Sequence, residues 1–379
     1  MSAEPRPPVP PAAPLPPEVE GQPRPTPLAL MVRDARAQRV LAALSGQLEA
    51  LRRATRDGTM TPVLTLRRDD IDHVRQQWET EILRGEHRLY ALGILLAREL
   101  LGTRRLQLVA RIVASPAKET GAARLVIEET LTREELERYT DHSLAIRIAR
   151  RYRYRRGHRN PFGKLVIRAS FLEIRPLEAG PGALGIRVMT RVKVDEQVWN
   201  KVCDAFFDID AIVARDKLLN QSSKYIKDVF GIKVLTADRD ASYRVQRRLE
   251  GLEFKESDLE ELGCSDAPRS MQLIESKDYM ALPPEQKKQT GWEALKNVYR
   301  WYGHVFEMQI QTEANYYLEA SDLSDTSHRT FEMQRTALRE ALDARVPHYR
   351  EFRDMLKVLF RQDWSDKAPK LPEWLRVEK

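Results

Sequence analysis

Two runs of this chain, Lys227-Asp228-Val229-Phe230-Gly231-Ile232-Lys233-Val234-Leu235 and Val305-Phe306-Glu307-Met308-Gln309-Ile310-Gln311-Thr312, each set one carboxylate beside a strand-forming apolar sequence. In the second, Val305, Glu307, Gln309 and Gln311 alternate with Phe306, Met308 and Ile310, the period of two that makes a strand with one polar face. In the first, Asp228 stands where a buried strand begins. Two strands of this kind can aim two carboxylates at one spot. Carboxylates so placed can hold Mg2+ while one of them takes a proton from an attacking hydroxyl, the arrangement that phosphoryl-type transfer requires.

The rest of the chain has room for more than those strands. Its 379 residues are 42% hydrophobic and 31% charged with a net charge of +7, enough for two domains with cores of their own and a weak general attraction to polyanions. Cys203 and Cys264 show no zinc or disulfide spacing, which suits a reducing compartment, and no apolar run reaches membrane-spanning length. The amino terminus lacks a signal-peptide core, so a cytoplasmic location is expected. The P-loop, zincin and nucleophile-elbow motifs are missing, and with them the chemistry each supports.

Residues 1–28 are dominated by proline and are expected to form a disordered tail, either a solubilising extension or a polyproline II ligand. Residues 29–195 read as an α+β domain for recognition or regulation. Val40, Leu41, Leu44, Leu48 and Leu51 follow helical spacing, and a second helix is expected from about Asp70 to Leu101 with Trp78, Ile82, Leu89, Leu92 and Leu96 as its buried stripe. Strand-like runs follow at Leu106–Ile112, Arg124–Glu128, Leu165–Ile174 and Ile186–Val194, interrupted by a helix whose capping box is Thr132-x-x-Glu135. They predict a largely antiparallel sheet. Near the carboxyl end, residues 346–379 form an expected helical tail that docks through Trp364 and Trp374, whereas His304 and His348 are expected at the surface.

Between these strands lies a cluster of Arg147, Arg150, Arg151, Arg153, Arg155, Arg156 and Arg159 interleaved with Tyr152 and Tyr154. Guanidiniums neutralise phosphates and phenol rings stack on unpaired bases, the combination of an RNA-contacting edge. An arginine-rich edge strand that resists aggregation reads equally from the same residues, and a contact for an acidic protein is a lesser third reading.

Several short pieces, in order, resemble a known family: Arg215-Asp216-Lys217, Asp228-x-x-Gly231-Ile232-Lys233, Lys277-Asp278-Tyr279, Gly291-Trp292-Glu293-Ala294-Leu295, Glu307-x-Gln309-Ile310-x-Thr312 and Ser327-His328-Arg329. The set is similar to the synthetase domain of the RelA/SpoT alarmone-synthetase family and covers roughly residues 196–345. The resemblance implies an α+β chain, in which a RelA/SpoT-like nucleotidyltransferase fold, a mixed sheet flanked by helices, follows the amino-terminal α+β domain. It implies transfer of the β,γ-pyrophosphate of ATP to a ribose 3'-hydroxyl of a nucleotide, which is alarmone synthesis, or, as in toxic small relatives, of a tRNA end. It implies Mg2+ at Asp228, with Glu307 as a second metal ligand or as general base. Arg215, Lys217, Lys224, Lys227, Lys277 and His328 are implied to hold ATP or other phosphates, and Tyr279, Trp292 and Gln309 to hold the acceptor. A homo-oligomer fits the resemblance as well.

The departures from the family pattern are specific. Its acceptor loop reads Asn-Gly-Tyr-Gln-Ser-Leu-His where this chain has Thr290-Gly291-Trp292-Glu293-Ala294-Leu295-Lys296. Lys233 and Gln311 stand where the family has arginines, so two bidentate forks become a point charge and a neutral amide. Two readings follow: a pyrophosphokinase with an altered acceptor, or a catalytically inactive protein that binds nucleotide or RNA. No His-Asp dipeptide is present, so the hydrolase half of long alarmone enzymes is not expected.

Overall fold

The computed structural model describes residues 34–116, 125–138, 165–193, 229–283, 292–320, 340, 347–360 and 371–378. The proline-rich tail, the arginine–tyrosine cluster and Trp364 lie outside them.

Helix α1 (Ala35–Asp57) starts where the Asp34 carboxylate accepts the Ala37 N–H at 2.7 Å and stops at Gly58, whose φ of 62° only glycine adopts without strain. Its apolar residues from Ala37 to Leu51 are buried at the expected helical spacing. Strand β1 (Leu64–Arg67) leads directly into the 34-residue α2 (Arg68–Leu101). The first half of α2 buries the stripe Ile71, Val74 and Trp78, and its second half is buried all round from Leu89 to Ala97. It is the central helix of the molecule, pressed between α1 and the sheet.

That sheet is built from β2 (Leu106–Pro116), β3 (Leu125–Leu131), β4 (Leu165–Pro176), β5 (Arg187–Val192), β6 (Phe230–Thr236), β7 (Gln272–Asp278), β8 (Leu295–Trp301) and β9 (His304–Thr312). Its order is β3-β2-β4-β5-β6-β9-β8-β7. Every pairing is antiparallel except β6 with β9, which are parallel, so the sheet is mixed. The strands expected before residue 195 form the antiparallel half, and β5 pairs directly with β6, carrying one sheet across that position. Helix α3 (Arg133–Arg138) follows β3 with the predicted capping box formed: Thr132 Oγ1 accepts the Glu135 N–H and Glu135 accepts the Thr132 N–H, both at 3.2 Å.

Helices α4 (Arg239–Glu250) and α5 (Glu256–Glu261) fill the connection from β6 to β7, and α6 (Glu313–Ala320) follows β9. The apolar faces of the strands, including Ile174, Val188, Phe230, Ile232, Val234, Phe306, Met308 and Ile310, join α1, α2 and α4 in one continuous core. Two glycines let α2 lie close. A Cβ on Gly85 would stand 2.0 Å from the Phe230 ring, and one on Gly93 would stand 2.6 Å from Thr190.

Helix α7 (Tyr349–Phe360) packs on α2, and β10 (Leu375–Glu378) runs parallel to β1, so the helical tail expected from sequence also ends in a strand. Trp374 is buried and stacks on Phe352 with centroids 6.1 Å apart, which is the docking expected of it. His304, expected at the surface, is buried instead. Helix α2 covers the start of β9, so its ring packs edge-on to Phe230 and Nδ1 receives a hydrogen bond from Arg88 at 2.8 Å. His348 is half-buried between Thr55 and Glu351, each at 3.0 Å. Among the described residues no helix is long and apolar enough to cross a membrane.

Candidate active site

The face of the sheet turned away from α2 carries the polar alternation of β9. Glu307, Gln309 and Gln311 lie on it, and so do the residues paired with them across the strands. One transverse row reads Lys277 (β7), Lys296 (β8), Gln309 (β9) and Lys233 (β6), each directly opposite the next. Neighbouring strands stand about 4.8 Å apart, so the row spans roughly 14 Å and presents three ammonium groups around one amide. The adjacent row reads Glu275, Val298, Glu307 and Gly231. A lane of cations therefore runs beside a lane that holds two acids.

The two lanes neutralise each other. Lys277 meets Glu275 at 2.9 Å and Lys296 meets Glu307 at 2.7 Å, while the Gln309 amide donates to the other Glu307 oxygen at 2.8 Å. Lys233 turns the other way, to Glu319 of α6 at 2.6 Å. Glu307 is only 8% exposed, and both of its oxygens have the partners that a buried polar group needs. Beside it, Gly231 leaves a strip of strand with no side chain. Sterics do not require glycine there, because a Cβ would meet nothing closer than the Arg191 carbonyl at 3.7 Å.

At the end of the cation lane an aromatic pair stands where β7 ends and β8 begins. The Tyr279 and Trp292 rings meet edge to face with centroids 5.2 Å apart, and the Tyr279 N–H donates to the Ala294 carbonyl at 3.0 Å. Asp278 fixes this corner: one oxygen accepts the N–H groups of Met280 and Ala281 at 2.9 Å, the other the Tyr243 hydroxyl at 2.9 Å. Burial, and then the hydrogen bond to Asp278, push the Tyr243 phenol up from its ordinary range. Asp278 is thus a turn-forming residue.

A second charged cluster lies on the same face over β2, β4 and β5. The fully buried Glu173 accepts from Arg111 at 3.0 Å and from Arg175 at 2.8 Å, with Arg187 at 3.5 Å. Burial alone would raise the Glu173 carboxyl, but the Arg175 and Arg111 bonds hold it below the usual range. The groove of about 520 Å³ beside it is lined by Arg111, Glu128, Arg175, Ile186, Arg187 and Tyr317. Its three guanidiniums already face Glu128, Glu173 and Glu313, so it is charge-balanced, as the lysine row is.

Of the residues expected at the site, the structure brings together Glu307, Gln309 and Lys277 on the sheet and Tyr279 and Trp292 at its rim. Asp228, Arg215, Lys217, Lys224, Lys227 and His328 lie outside the described residues, as do Arg147, Arg150, Arg151, Tyr152, Arg153, Tyr154, Arg155 and Arg156. Sequence reasoning leaves out Lys296, Lys233 and Glu319 as site residues. The sequence groups Lys296 with the acceptor loop, whereas it is the second residue of β8 and touches Glu307. Among the described residues no group of three or more acidic, histidine or cysteine side chains converges as a metal site.

No protein-family model matches the chain, and no curated protein does. Among solved structures one likeness recurs. The chain is similar to small alarmone synthetases. With small alarmone synthetase 2 from Bacillus subtilis it shares 17% identity over 46% of this chain and 71% of that one, with a TM-score of 0.22. With small alarmone synthetase 1 from Bacillus subtilis the identity is 13%, over 48% and 76%, with a TM-score of 0.23. The latter has also been solved bound to its product pppGpp, at the same identity and coverage.

Proposed function

We propose that this chain is a pyrophosphokinase that transfers the β,γ-pyrophosphate of ATP to a ribose 3'-hydroxyl, of a nucleotide or of a tRNA end. The observation that carries this reading is the pair of lanes: Lys277, Lys296, Gln309 and Lys233 in one transverse row, with Glu307 in the next beside the bare strip at Gly231. A polyphosphate needs fixed cations in a line, and an attacking hydroxyl needs a carboxylate within reach of its proton. Glu307 is the base in this reading. Lys296 pairs with one of its oxygens at 2.7 Å. Gln309 orients the second oxygen, and the Tyr279–Trp292 corner receives the acceptor base on an aromatic face.

By themselves the described residues do not fit a divalent cation, because Glu307 is already paired with an ammonium and no further acid stands within its group. Were Mg2+ to arrive with ATP, Asp228 and Glu307 would be the carboxylates to hold it, and it would supply charge neutralisation on the phosphates. The inactive, nucleotide-binding alternative has no evident need for a carboxylate beside the lysine row, so the enzyme reading is preferred.

The test is a mass-spectrometric transfer assay with ATP against GDP, GTP, AMP, ADP, ATP and bulk tRNA, run on the wild type and on Glu307→Gln. Transfer to at least one acceptor, lost in the variant without loss of fold, is the expected result. Wild-type transfer by Glu307→Gln removes the base assignment, and no transfer to any acceptor by the wild type removes the enzyme.

A further inference from the structure

Lys233 differs from the other two lysines of the row. Lys277 and Lys296 find their acids on the sheet itself, at Glu275 and Glu307, whereas the acid on Lys233 is delivered by a helix. Glu319 sits in the last turn of α6, and one of its oxygens lies 2.6 Å from Lys233 Nζ and accepts the Gln311 amide at 3.2 Å. A cation and an amide N–H converging on one carboxylate oxygen is the contact that a phosphate oxygen would make.

One observation marks Glu319 as a replaceable occupant. An acid in the final turn of a helix opposes the helix dipole, and α6 has no basic residue in that turn to offset it. We propose that Glu319 is an internal plug, occupying at Lys233 and Gln311 the seat that a phosphate of a nucleoside polyphosphate takes when it binds along the lysine row. The proposal rests on the function proposed above for the row. It makes α6 the element whose displacement admits the polyphosphate.

The experiment is calorimetric titration of the full chain with inorganic tripolyphosphate. Glu319→Gln should bind on the order of tenfold tighter than the wild type, the worth of one freed charge-assisted contact. Glu178→Gln removes the same charge from an exposed, distant position and should leave affinity at the wild-type value. Adding Lys233→Met to Glu319→Gln should abolish the gain. The plug is overturned if Glu319→Gln binds no tighter than the wild type, if Glu178→Gln matches it, or if the gain survives without Lys233. Should this binding pattern hold while no variant transfers pyrophosphate, the reaction proposed above fails and the plug stands.

Discussion

Replacing Gly85 by alanine sets two effects of opposite sign against each other. Alanine is the better helix former by roughly 1 kcal/mol, and it also narrows the unfolded ensemble, so a residue in the middle of α2 ought to gain stability from the change. The structure says otherwise. The added methyl would lie 2.0 and 2.4 Å from two atoms of the Phe230 ring and 2.8 Å from His304, against the roughly 3.5–4.0 Å of a relaxed carbon contact. The ring has nowhere to go, because Phe230 is 2% exposed and packed on His304 and Phe306. Overpacking of this kind costs about 1–3 kcal/mol, and three contacts this short place Gly85 at the upper end, for a net loss of roughly 1–2 kcal/mol. Gly46 supplies the control. It is exposed on α1, and a Cβ added there would meet nothing within 4 Å, so Gly46→Ala should gain up to about 1 kcal/mol. Urea unfolding followed by circular dichroism should move the two midpoints in opposite directions. A midpoint raised by Gly85→Ala as much as by Gly46→Ala would refute the close approach of α2 to β6.

Three further outcomes are expected. Trp292→Ala should weaken acceptor binding by roughly 1–3 kcal/mol while Trp292→Tyr is tolerated; unchanged acceptor affinity in the alanine variant, measured by titration calorimetry, would remove the aromatic corner from the site. Burial, and then the Arg88 guanidinium, hold His304 below its ordinary value of 6.5, so the unfolded chain binds a proton there more readily than the fold does. Its contribution is complete above pH 6.5 and is lost as pH falls through the folded-state value; His304→Gln should therefore show a flatter fall in melting temperature on acidification, and parallel curves would count against it. Changing Arg151, Arg153, Arg155 and Arg156 to glutamine should lower RNA affinity and reduce the log–log salt slope by roughly 0.7–0.9 per lost phosphate contact, read by filter binding. An unchanged slope leaves the run as a solvated edge.

Strand β9 was legible in the sequence because its two faces meet different surroundings: Phe306, Met308 and Ile310 enter the core, and Glu307, Gln309 and Gln311 line the polar face. The long helices were legible for the same reason at a different period. Strand β8 was not. Its buried face reads Leu295, Asn297, Tyr299 and Trp301, and the asparagine breaks the apolar alternation. Asn297 is tolerated there because Ser276 donates to it at 2.8 Å and it donates to Gln246 at 2.5 Å, partners supplied by β7 and α4. With β8 unread, Lys296 could not be placed opposite Gln309. Glu319 was hidden differently, since it is 86 residues from Lys233 in sequence and meets it only through the turn from β9 into α6. His304 misled because a lone histidine beside a glycine turn carries no sign of the helix lying over it.

The pairing of β5 with β6 also decides how this molecule can be dissected. Six residue pairs, from Arg187 with Leu235 to Val192 with Phe230, join the two halves of the sheet. A fragment beginning after residue 195 would retain β6 as an outer strand with its hydrogen-bonding groups bare along that length, and would lose the cover that α2 gives to Phe230, Ile232 and Val234. Such an edge recruits other chains. The strand that carries Gly231 and Lys233 into the site therefore owes its covered edge to residues far upstream, and the amino-terminal half serves the candidate chemistry as its foundation.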